Sequence, residues 1–272
     1  MNSIEKPSGK TYKEENFPVG SWLLPKKLRP KILVFYNFAR SADDIADNPN
    51  LKPSEKIKRL NLFKLALKNK QTKIEKAEKL RKICKRNKIS INHGLNLLKA
   101  FKQDSTKKRY KDWSDLINYC KFSAVPVGRF MIDLHNENKK AYKYSDPLCI
   151  ALQILNHLQD CKEDYINLNR VYLPIKFLKK YNVKFPQLKN NMTKNNLRYV
   201  FNEILKETEK LIIEASNNKK QMKLKSLSLE TSFILEIAKK LLKLLKKKDP
   251  LKEKVMLSKL DYICCFIKGL NY

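Results

Sequence analysis

The chain has 272 residues, of which 42% are hydrophobic, so it can build a sizeable core and is not a disordered polypeptide. It contains only five glycines, and Leu, Lys, Glu and Ala dominate its long segments, which predicts an all-helical protein. The net charge of +32 fits three explanations: nucleic-acid binding, attraction to an anionic membrane or substrate, and compositional drift towards lysine.

A polar, flexible arm is expected over residues 1–15, and a single helical domain over residues 16–272. No internal repeat and no break in composition marks a second domain. Capping residues, Asn-Pro and Asp-Pro stop signals and the apolar spacing define the expected segments. Helices are predicted over 28–47, 54–70, 75–89, 91–104, 112–135 with an interruption at Pro126, 145–165, 195–216, 227–248 and 251–270. Residues 169–181 are predicted to form a short extended or turn segment.

The cysteines and the apolar runs bear on localisation. Six cysteines without a CxxC pair and only three histidines argue against a zinc site and indicate reduced thiols in a cytoplasmic protein. The first residues contain no apolar signal core, and no apolar run reaches the roughly 18 residues of a membrane span. The segment "KLDYICCFIKGL" is expected either to lie on the cytoplasmic face of a bilayer or to close the core as a buried helix.

The first long helix carries a polar stripe. Tyr36, Arg40, Asp43 and Asp47 are separated by four, three and four residues, so they share one face at roughly 100° per residue. Asp44 is expected to face an arginine or solvent.

A second stripe lies on the predicted helix over residues 145–165. Gln153, Asn156, Asp160 and Asp164 are separated by three, four and four residues, with leucines behind them. Either Asp-x-x-x-Asp pair by itself is most often a solvated helix face. Two such pairs on two otherwise apolar helices favour a functional site.

Carboxylates one turn apart repel each other, and a cation shared between the two helices would relieve that repulsion. Oxygen ligands suit Mg²⁺, which keeps several waters and completes its coordination with substrate phosphate oxygens. Arg40 and Arg170 could form forked hydrogen bonds with the same phosphates. The pattern therefore predicts a site for Mg²⁺ and a diphosphate.

The segments "YNFARSADDIAD", "YCKFSAVPVGRF" and "ALQILNHLQDCKEDYINLNRVYLP" occur in this order and resemble the squalene/phytoene synthase family of isoprenoid enzymes. The resemblance covers most of residues 15–180; beyond them it extends only to helical character. It implies an all-α, single-domain isoprenoid-synthase helical bundle with a central cavity.

Two further strings, "ENFPVGSWLLP" and "SAVPVGRFMIDLHNEN", are most similar to the hydroxysqualene synthase branch of bacterial hopanoid biosynthesis. That resemblance implies Mg²⁺-dependent ionisation of presqualene diphosphate. Water then captures the resulting cation, which gives hydroxysqualene without NADPH. It also implies sister enzymes of the squalene pathway as partners. The alternative is condensation of two prenyl diphosphates, from farnesyl diphosphate to presqualene diphosphate or dehydrosqualene, or from geranylgeranyl diphosphate to phytoene. A non-catalytic assembly factor and a nucleic-acid binder rank lower, since the acidic motifs are intact and no nucleic-acid module is recognised.

The resemblance assigns roles by position. The implied metal ligands are Asp43, Asp47, Asp160 and Asp164. The implied diphosphate contacts are Arg40, Arg170 and Tyr36. The implied catalytic or cavity positions are Tyr119, Gln153, Asn156 and Gly128. One departure is Asn16, within "EENFPVGS", where phytoene-type members carry a serine-containing segment.

Aromatic and histidine side chains complete the expectations. Phe38, Phe122 and Phe130 are candidate cavity walls whose rings can favour a cation, with ordinary core packing as the alternative. Gly128 allows either close approach of a substrate or a helix–helix contact. His157 is expected to be structural, and the other two histidines, at positions 93 and 135, are expected on the surface.

Overall fold

The computed structural model describes residues 21–70, 73–217 and 222–270. The predicted arm over 1–15 and Asn16 lie outside these ranges, so the division into an arm and one domain stays a prediction. Within the described residues, regular structure is helical, and the one β-type contact is an isolated bridge between Arg109 and Val171. The α-helices are α1 (Arg29–Asp47), α2 (Pro53–Leu67), α3 (Glu75–Arg86), α4 (Asn92–Thr106), α5 (Trp113–Ser123), α6 (Val125–Leu134), α7 (Tyr142–Gln159), α8 (Cys161–Leu168), α9 (Ile175–Lys180), α10 (Asn195–Asn217), α11 (Lys225–Lys247) and α12 (Lys259–Leu270).

Most helix limits agree with the sequence prediction. Pro126 lies in the first turn of α6, where its missing N–H costs nothing, so the chain divides into α5 and α6 at Ala124. Asp160 separates α7 from α8 within the segment predicted as one helix.

The final helix is shorter than predicted. It was expected from residue 251, but α12 starts at Lys259. Ser258 and Asp261 form a reciprocal cap there: Asp261 N donates to Ser258 Oγ (3.1 Å), and Ser258 N donates to Asp261 Oδ2 (2.9 Å). Upstream, Leu251, Val255 and Leu257 are buried without forming a helix.

Two hydrophobic clusters form the core. One surrounds α7, α10 and α11, and the other surrounds α1 to α4 together with Phe130 of α6. Helices α6 and α7 pack against each other, and α1 packs against α4. None of the helices in the described ranges combines the length and hydrophobicity needed to cross a membrane.

The predicted surface position of two histidines is wrong. His93 and His135 are both buried. The ring of His93 lies 2.8 Å from Asp133 Oδ2, and His135 Nδ1 donates to the carbonyl of Met131 at 2.7 Å. Each ring therefore has a local partner that offsets the loss of hydration.

Gly128 makes the close contact between α6 and α7 possible. A Cβ atom at this position would lie 2.0 Å from Ser145 Oγ and 2.6 Å from Cys149 Sγ. A side chain at position 128 would require the Ser145 and Cys149 side chains to move, so Gly128 permits the close packing of α6 on α7. Gly128 also lines the cavity described below, so close approach of a substrate stays a prediction.

Candidate active site

The two Asp-x-x-x-Asp motifs, here called the acidic motifs, lie on α1 and at the junction of α7 and α8. A cavity of about 800 Å³ lies between these helices and α4, α5, α6 and α11. Its size is within the range of small-molecule sites, about 300–1,000 Å³. The structure brings eleven of the fourteen predicted site residues into its lining. These are Tyr36, Arg40, Asp43, Asp47, Tyr119, Gly128, Gln153, Asn156, Asp160, Asp164 and Arg170.

The carboxylates of the two acidic motifs face one another. Burial, followed by the charge of Asp160 on its own motif and Asp47 on α1, raises the pKa of Asp164 well above its usual range. Burial and the charge of Asp47 do the same for the pKa of Asp43, with Arg40 opposing. Because Asp47 acts on Asp164 across the cavity, the two motifs form one acidic end of the site.

This acidic end fits a divalent cation held jointly with a ligand. Among the described residues, no three His, Cys, Asp or Glu side chains converge closely enough to hold an ion by themselves. Mg²⁺ commonly binds through one or two carboxylates, several waters and substrate phosphate oxygens, so this donor set matches a metal–diphosphate complex. Burial and, after it, repulsion between the carboxylates raise the pKa values of Asp43 and Asp164, and a bound cation would favour the charged forms of both.

Arg170 links the segment after α8 to the ends of α1 and α4. Its Nη1 donates to Asp47 Oδ1 (2.5 Å), its Nη2 to the carbonyl of Ala46 (2.8 Å), and its Nε to the carbonyl of Asp104 (3.2 Å). The side chain is 4% exposed. All three nitrogens thus have protein acceptors, and direct contact of Arg170 with a diphosphate stays a prediction.

The position of Arg170 follows from the turn after α8. Asn169 adopts a left-handed conformation (φ 50°), which asparagine tolerates better than most residues. The chain then runs beside the segment that follows α4, where Val171 N donates to the carbonyl of Lys108 at 3.0 Å. This pairing directs Arg170 and Tyr172 towards the end of α4.

Arg40 lies on the cavity face of α1. Its Nη2 donates to Asp43 Oδ2, and its Nε is 3.9 Å from Asp44 Oδ1. Asp44 was expected to face either an arginine or solvent. It is buried and faces Arg40.

Asp104 is a cavity residue that the sequence analysis missed. It is 3% exposed, and Tyr119 Oη donates to its Oδ2 (2.7 Å) while Tyr172 Oη donates to its Oδ1 (3.0 Å). Burial raises the pKa of Asp104 to about 6, although Arg170 and the two phenols oppose the shift. The phenol of Tyr119 is therefore held by a carboxylate on α4. In sequence, Asp104 lies in the polar stretch "KQDSTKK", which gives no sign of burial.

His157 also lines the cavity. Its ring stacks on Tyr172 with 3.5 Å between centroids, and Gln153 Nε2 donates to His157 Nε2 at 3.0 Å. Burial and the nearby Arg170 charge lower the pKa of His157 to about 3, so the ring is neutral at neutral pH. The expected structural role fits: His157 orients Gln153 and supports Tyr172.

The proposed aromatic walls require correction. Phe38 is fully buried against Phe63, and Phe130 is fully buried against Phe35. Lys99 Nζ lies 3.6 Å from the ring centre of Phe122. None of Phe38, Phe122 and Phe130 belongs to the cavity lining. Residue 38 is 200° from Tyr36 on a helix, so the spacing that selects the polar stripe places Phe38 on the opposite face.

Away from the carboxylates the lining becomes apolar. Phe35 of α1, rather than Phe38, contributes an aromatic ring, and Leu148 and Leu152 contribute from α7. Other apolar side chains of the lining include Ile32, Phe101, Val127, Met131, Ile132, Met222, Leu227 and Ile234. The site therefore joins an anionic, metal-compatible end to a hydrophobic chamber, which suits an amphipathic diphosphate.

The connection between α11 and α12 covers the acidic end. Gln159 Nε2, at the end of α7, donates to the carbonyl of Val255 at 2.5 Å. This contact brings Lys254 and Met256 into the cavity lining. Neither residue was singled out from the sequence, because the loop position gives no spacing to interpret.

A family model for squalene/phytoene synthase matches residues 11–261. The chain belongs to the squalene/phytoene synthase family. Its similarity to proteins of this family extends well beyond the acidic motifs, since the match includes α10, α11 and the start of α12.

Several relatives of this squalene/phytoene synthase chain are named hydroxysqualene synthase. That of Rhodopseudomonas palustris is 40% identical over 262 residues, which cover 96% of this chain and 90% of the relative. That of Sinorhizobium fredii is 40% identical over 252 residues, covering 93% and 86%. A phytoene synthase of Mycobacterium tuberculosis is 30% identical over 161 residues, covering 58% of this chain and 53% of the relative.

Solved structures of the family share the fold. The squalene synthase HpnC from Alicyclobacillus acidocaldarius superposes with a TM-score of 0.72 at 23% identity, covering 83% of this chain and 85% of its own. A dehydrosqualene synthase superposes with a TM-score of 0.81 at 20% identity, covering 95% and 92%. The predicted all-helical synthase fold is confirmed.

Proposed function

We propose that the chain is a hydroxysqualene synthase, which ionises presqualene diphosphate and lets water capture the cation. The C–O bond to the diphosphate breaks with its electron pair retained by the diphosphate oxygen. A new C–O bond then forms to water, which loses a proton. The relatives of this name cover nearly the whole chain, whereas the phytoene synthase of M. tuberculosis aligns over only 58% of it.

The observation that carries the proposal is the meeting of both acidic motifs at one end of a mostly apolar cavity. Asp43 and Asp47 come from α1, and Asp160 and Asp164 from the α7–α8 junction. The side chain of Arg170 donates to Asp47 of the first motif, and its backbone N–H donates to the carbonyl of Asp164 of the second at 3.0 Å. Such an arrangement can hold the charged head of a prenyl diphosphate while its hydrocarbon lies in the chamber.

The carboxylates would hold Mg²⁺, which when bound supplies positive charge that stabilises the diphosphate as it leaves. Arg40, on the same face of α1, is placed to add a forked hydrogen-bond donor to the phosphate oxygens. Tyr119 and Tyr172 are fixed by Asp104 and present aromatic surface beside the reacting end. Phe35, Leu148 and Leu152 exclude bulk water from the remainder of the chamber.

The proposal is tested by supplying two substrates separately. The purified chain receives presqualene diphosphate or farnesyl diphosphate, with Mg²⁺ or with EDTA, and with or without NADPH. We expect hydroxysqualene from presqualene diphosphate only when Mg²⁺ is present, independently of NADPH. A condensed C30 product from farnesyl diphosphate alone would contradict the proposal and favour the condensation reaction.

The outer face of α12 supports a second proposal, contact with a bilayer that carries anionic lipid. Four exposed apolar residues recur along α12 at helical spacing, and Trp22 (71% exposed) packs against Phe266 beside them with 5.7 Å between ring centroids. The four are Leu260, Ile263, Ile267 and Leu270. Exposed Lys259 and Lys268 on the same helix, in a chain of net charge +32, complement anionic head groups.

Vesicle flotation tests this contact. The chain should float with vesicles containing an anionic lipid and less with purely zwitterionic vesicles, and the double substitution Leu260→Ser, Ile267→Ser should abolish flotation. Ile213→Ser is the matched control, since Ile213 is equally exposed but lies on α10. Equal flotation of the double variant and the wild type would exclude this face.

A further inference from the structure

Lys56 is a buried lysine that is not among the residues lining the cavity. It lies in the first turn of α2 and is 6% exposed. Burying an ammonium group is costly because the charge loses its hydration. The position is also unfavourable for a cation, since the N-terminal end of a helix carries a partial positive charge. A partner outside α2 must therefore compensate the charge.

That partner is the C-terminal end of α1. Lys56 Nζ donates to the carbonyl of Ala46 at 2.7 Å. Ala46 lies in the last turn of α1, where carbonyl groups have no acceptor role within the helix and carry partial negative charge. Asn48 follows in an extended conformation (ψ 113°), so the chain leaves α1 without the left-handed turn that often satisfies such carbonyls. Lys56 thus caps α1 from a neighbouring helix.

The carbonyl of Ala46 is shared by two cationic side chains. Arg170 Nη2 also donates to it at 2.8 Å, while Arg170 Nη1 holds the carboxylate of Asp47. Burial, followed by the charges of Arg170 and Lys108, lowers the pKa of Lys56 to about 8, so the ammonium form still prevails at neutral pH. Lys56 therefore holds the backbone next to Asp47, and Arg170 holds both that backbone and the carboxylate.

Lys56 is coupled to one end of the acidic motifs. Asp47 is among the charges that raise its pKa, whereas the other three carboxylates of the motifs are not among the leading ones. Asp47 is the last residue of α1, and its side chain is 40% exposed at the cavity. The ends of helices open at low cost in free energy. The direction of the Asp47 carboxylate consequently depends on how firmly the last turn of α1 is held.

We infer that Lys56 is a positioning residue of the metal–diphosphate site. By holding the carbonyl of Ala46 it fixes the last turn of α1, and so keeps the carboxylate of Asp47 directed at the cavity. This inference rests on the proposed function, in which Asp47 is a metal ligand. It extends the support of the site to α2, none of whose described residues lines the cavity.

The test measures metal binding without catalysis. Wild type, Lys56→Met and Lys56→Gln are unfolded thermally at increasing Mg²⁺ and constant inorganic diphosphate, and each shift in melting temperature is taken relative to the same protein without Mg²⁺. In both variants the Mg²⁺ concentration that gives half of the maximal shift should rise by about 10-fold, since partners that orient metal ligands contribute about 10–100-fold. Loss of the positive charge alone would lower this concentration, because it would strengthen the attraction between Asp47 and a cation.

Diphosphate release from presqualene diphosphate gives a second readout. In the variants, the Mg²⁺ concentration for half-maximal release should rise by a similar factor, while the rate at saturating Mg²⁺ falls much less. Lys102→Met is the matched control. Lys102 Nζ also joins two helices, donating to Asn61 at 2.6 Å, but this bond links α4 to α2 and not α2 to α1. Its Mg²⁺ dependence should equal that of wild type.

Two results would overturn the inference. One is a half-shift concentration in both Lys56 variants equal to or below that of wild type, which with a lower melting temperature would mean that Lys56 only stabilises the fold. The other is an equal rise in Lys102→Met. Different results would overturn the proposed function: wild type that Mg²⁺ and inorganic diphosphate do not stabilise, or that is stabilised but releases no diphosphate from presqualene diphosphate.

Discussion

Arg170 Nη1 donates to Asp47 Oδ1 at 2.5 Å, across 123 residues of sequence. The guanidinium is 4% exposed and also holds the carbonyls of Ala46 and Asp104. One side chain therefore fixes the C-terminal end of α1, the end of α4 and the turn after α8. This contact sets the separation of the two acidic motifs, and with it the geometry of the candidate metal–diphosphate site.

Replacing Arg170 tests this structural role. Lysine has no planar fork and cannot satisfy the carboxylate and both carbonyls, so Arg170→Lys should lower the free energy of unfolding by roughly 3 kcal/mol. Urea denaturation measures the change. Arg129→Lys is the control, because Arg129 pairs with Asp146 but is 41% exposed, and a change below about 1 kcal/mol is expected there. Equal losses in the two variants would contradict the connecting role of Arg170.

Replacing Asp43 should separate activity from stability. The pKa of Asp43 is raised by burial and by Asp47, so its folded-state value lies above the unfolded one and its charged form destabilises the fold at neutral pH. Without added metal, Asp43→Asn should therefore melt at the same temperature as wild type or higher. Product formation with Mg²⁺ should fall by about 10²-fold or more. Asp146→Asn, outside the cavity, should leave product formation unchanged; a large drop in melting temperature for Asp43→Asn would contradict the account.

Metal and diphosphate should stabilise the fold cooperatively. No three acidic or histidine side chains in the described residues converge on one ion, so Mg²⁺ alone has few protein ligands. Thermal unfolding with Mg²⁺, with inorganic diphosphate and with both should show a shift for the pair that exceeds the sum of the separate shifts. Chelation with EDTA should reverse it. A full shift from Mg²⁺ alone would indicate a site formed by protein ligands only.

The sequence predicts the site residues that helical periodicity places on one face, but not those that tertiary contacts place there. The polar stripe on α1 and the stripe on α7–α8 follow from helical periodicity, and the structure brings both to one cavity. The same periodicity, applied to Phe38, would have excluded it from the lining. Asp104 could not be found this way, because its burial comes from Arg170 and Tyr172, which reach it only through the left-handed turn at Asn169.

The start of α12 can be predicted from the sequence. "SKLD" is a capping-box pattern, in which a serine and an acidic residue three positions later satisfy each other's backbone N–H groups. That pattern places the first turn after Ser258, where the structure has it. The predicted start at residue 251 is wrong because residues 251, 255 and 257 are buried in a connection that is not helical.

The pH dependence of stability should report on Asp104. Burial raises its pKa from 3.8 to about 6, so the folded protein holds a proton that the unfolded chain has released between those values. This group therefore lowers stability as pH rises from about 4 to 6 and contributes no further change above that. The effect is on the order of 3 kcal/mol for a shift of this size. In Asp104→Asn, the free energy of unfolding from urea denaturation should no longer show this decrease between about pH 4 and pH 6.

Asp115 is a control because its pKa is shifted in the opposite direction to that of Asp104. Although its partial burial would raise the pKa, hydrogen bonds from Lys107 and from the backbone of Lys111 lower it. Its folded-state pKa is below the unfolded value, so it stabilises the fold above pH 4 and loses that contribution as pH falls. Asp115→Asn should therefore be less stable than wild type at pH 7. An unchanged slope in Asp104→Asn would contradict the assigned pKa.

Gly128→Ala tests the contact between α6 and α7. The new methyl group would overlap Ser145 Oγ and Cys149 Sγ, so the variant should lose roughly 1–3 kcal/mol of stability. Adding Ser145→Ala, which removes the nearest atom, should restore part of the loss. A double-mutant cycle measured by urea denaturation gives the coupling between the two positions. Additive effects would show that the two residues do not meet.

The most direct measurement is a crystal structure of the chain soaked with Mn²⁺ and inorganic diphosphate, with the ions located by anomalous scattering. We predict ions bound between the diphosphate and carboxylates of both motifs, from Asp43 or Asp47 on one side and from Asp160 or Asp164 on the other. Ions bound outside the cavity, or a diphosphate seated away from these four carboxylates, would contradict this prediction.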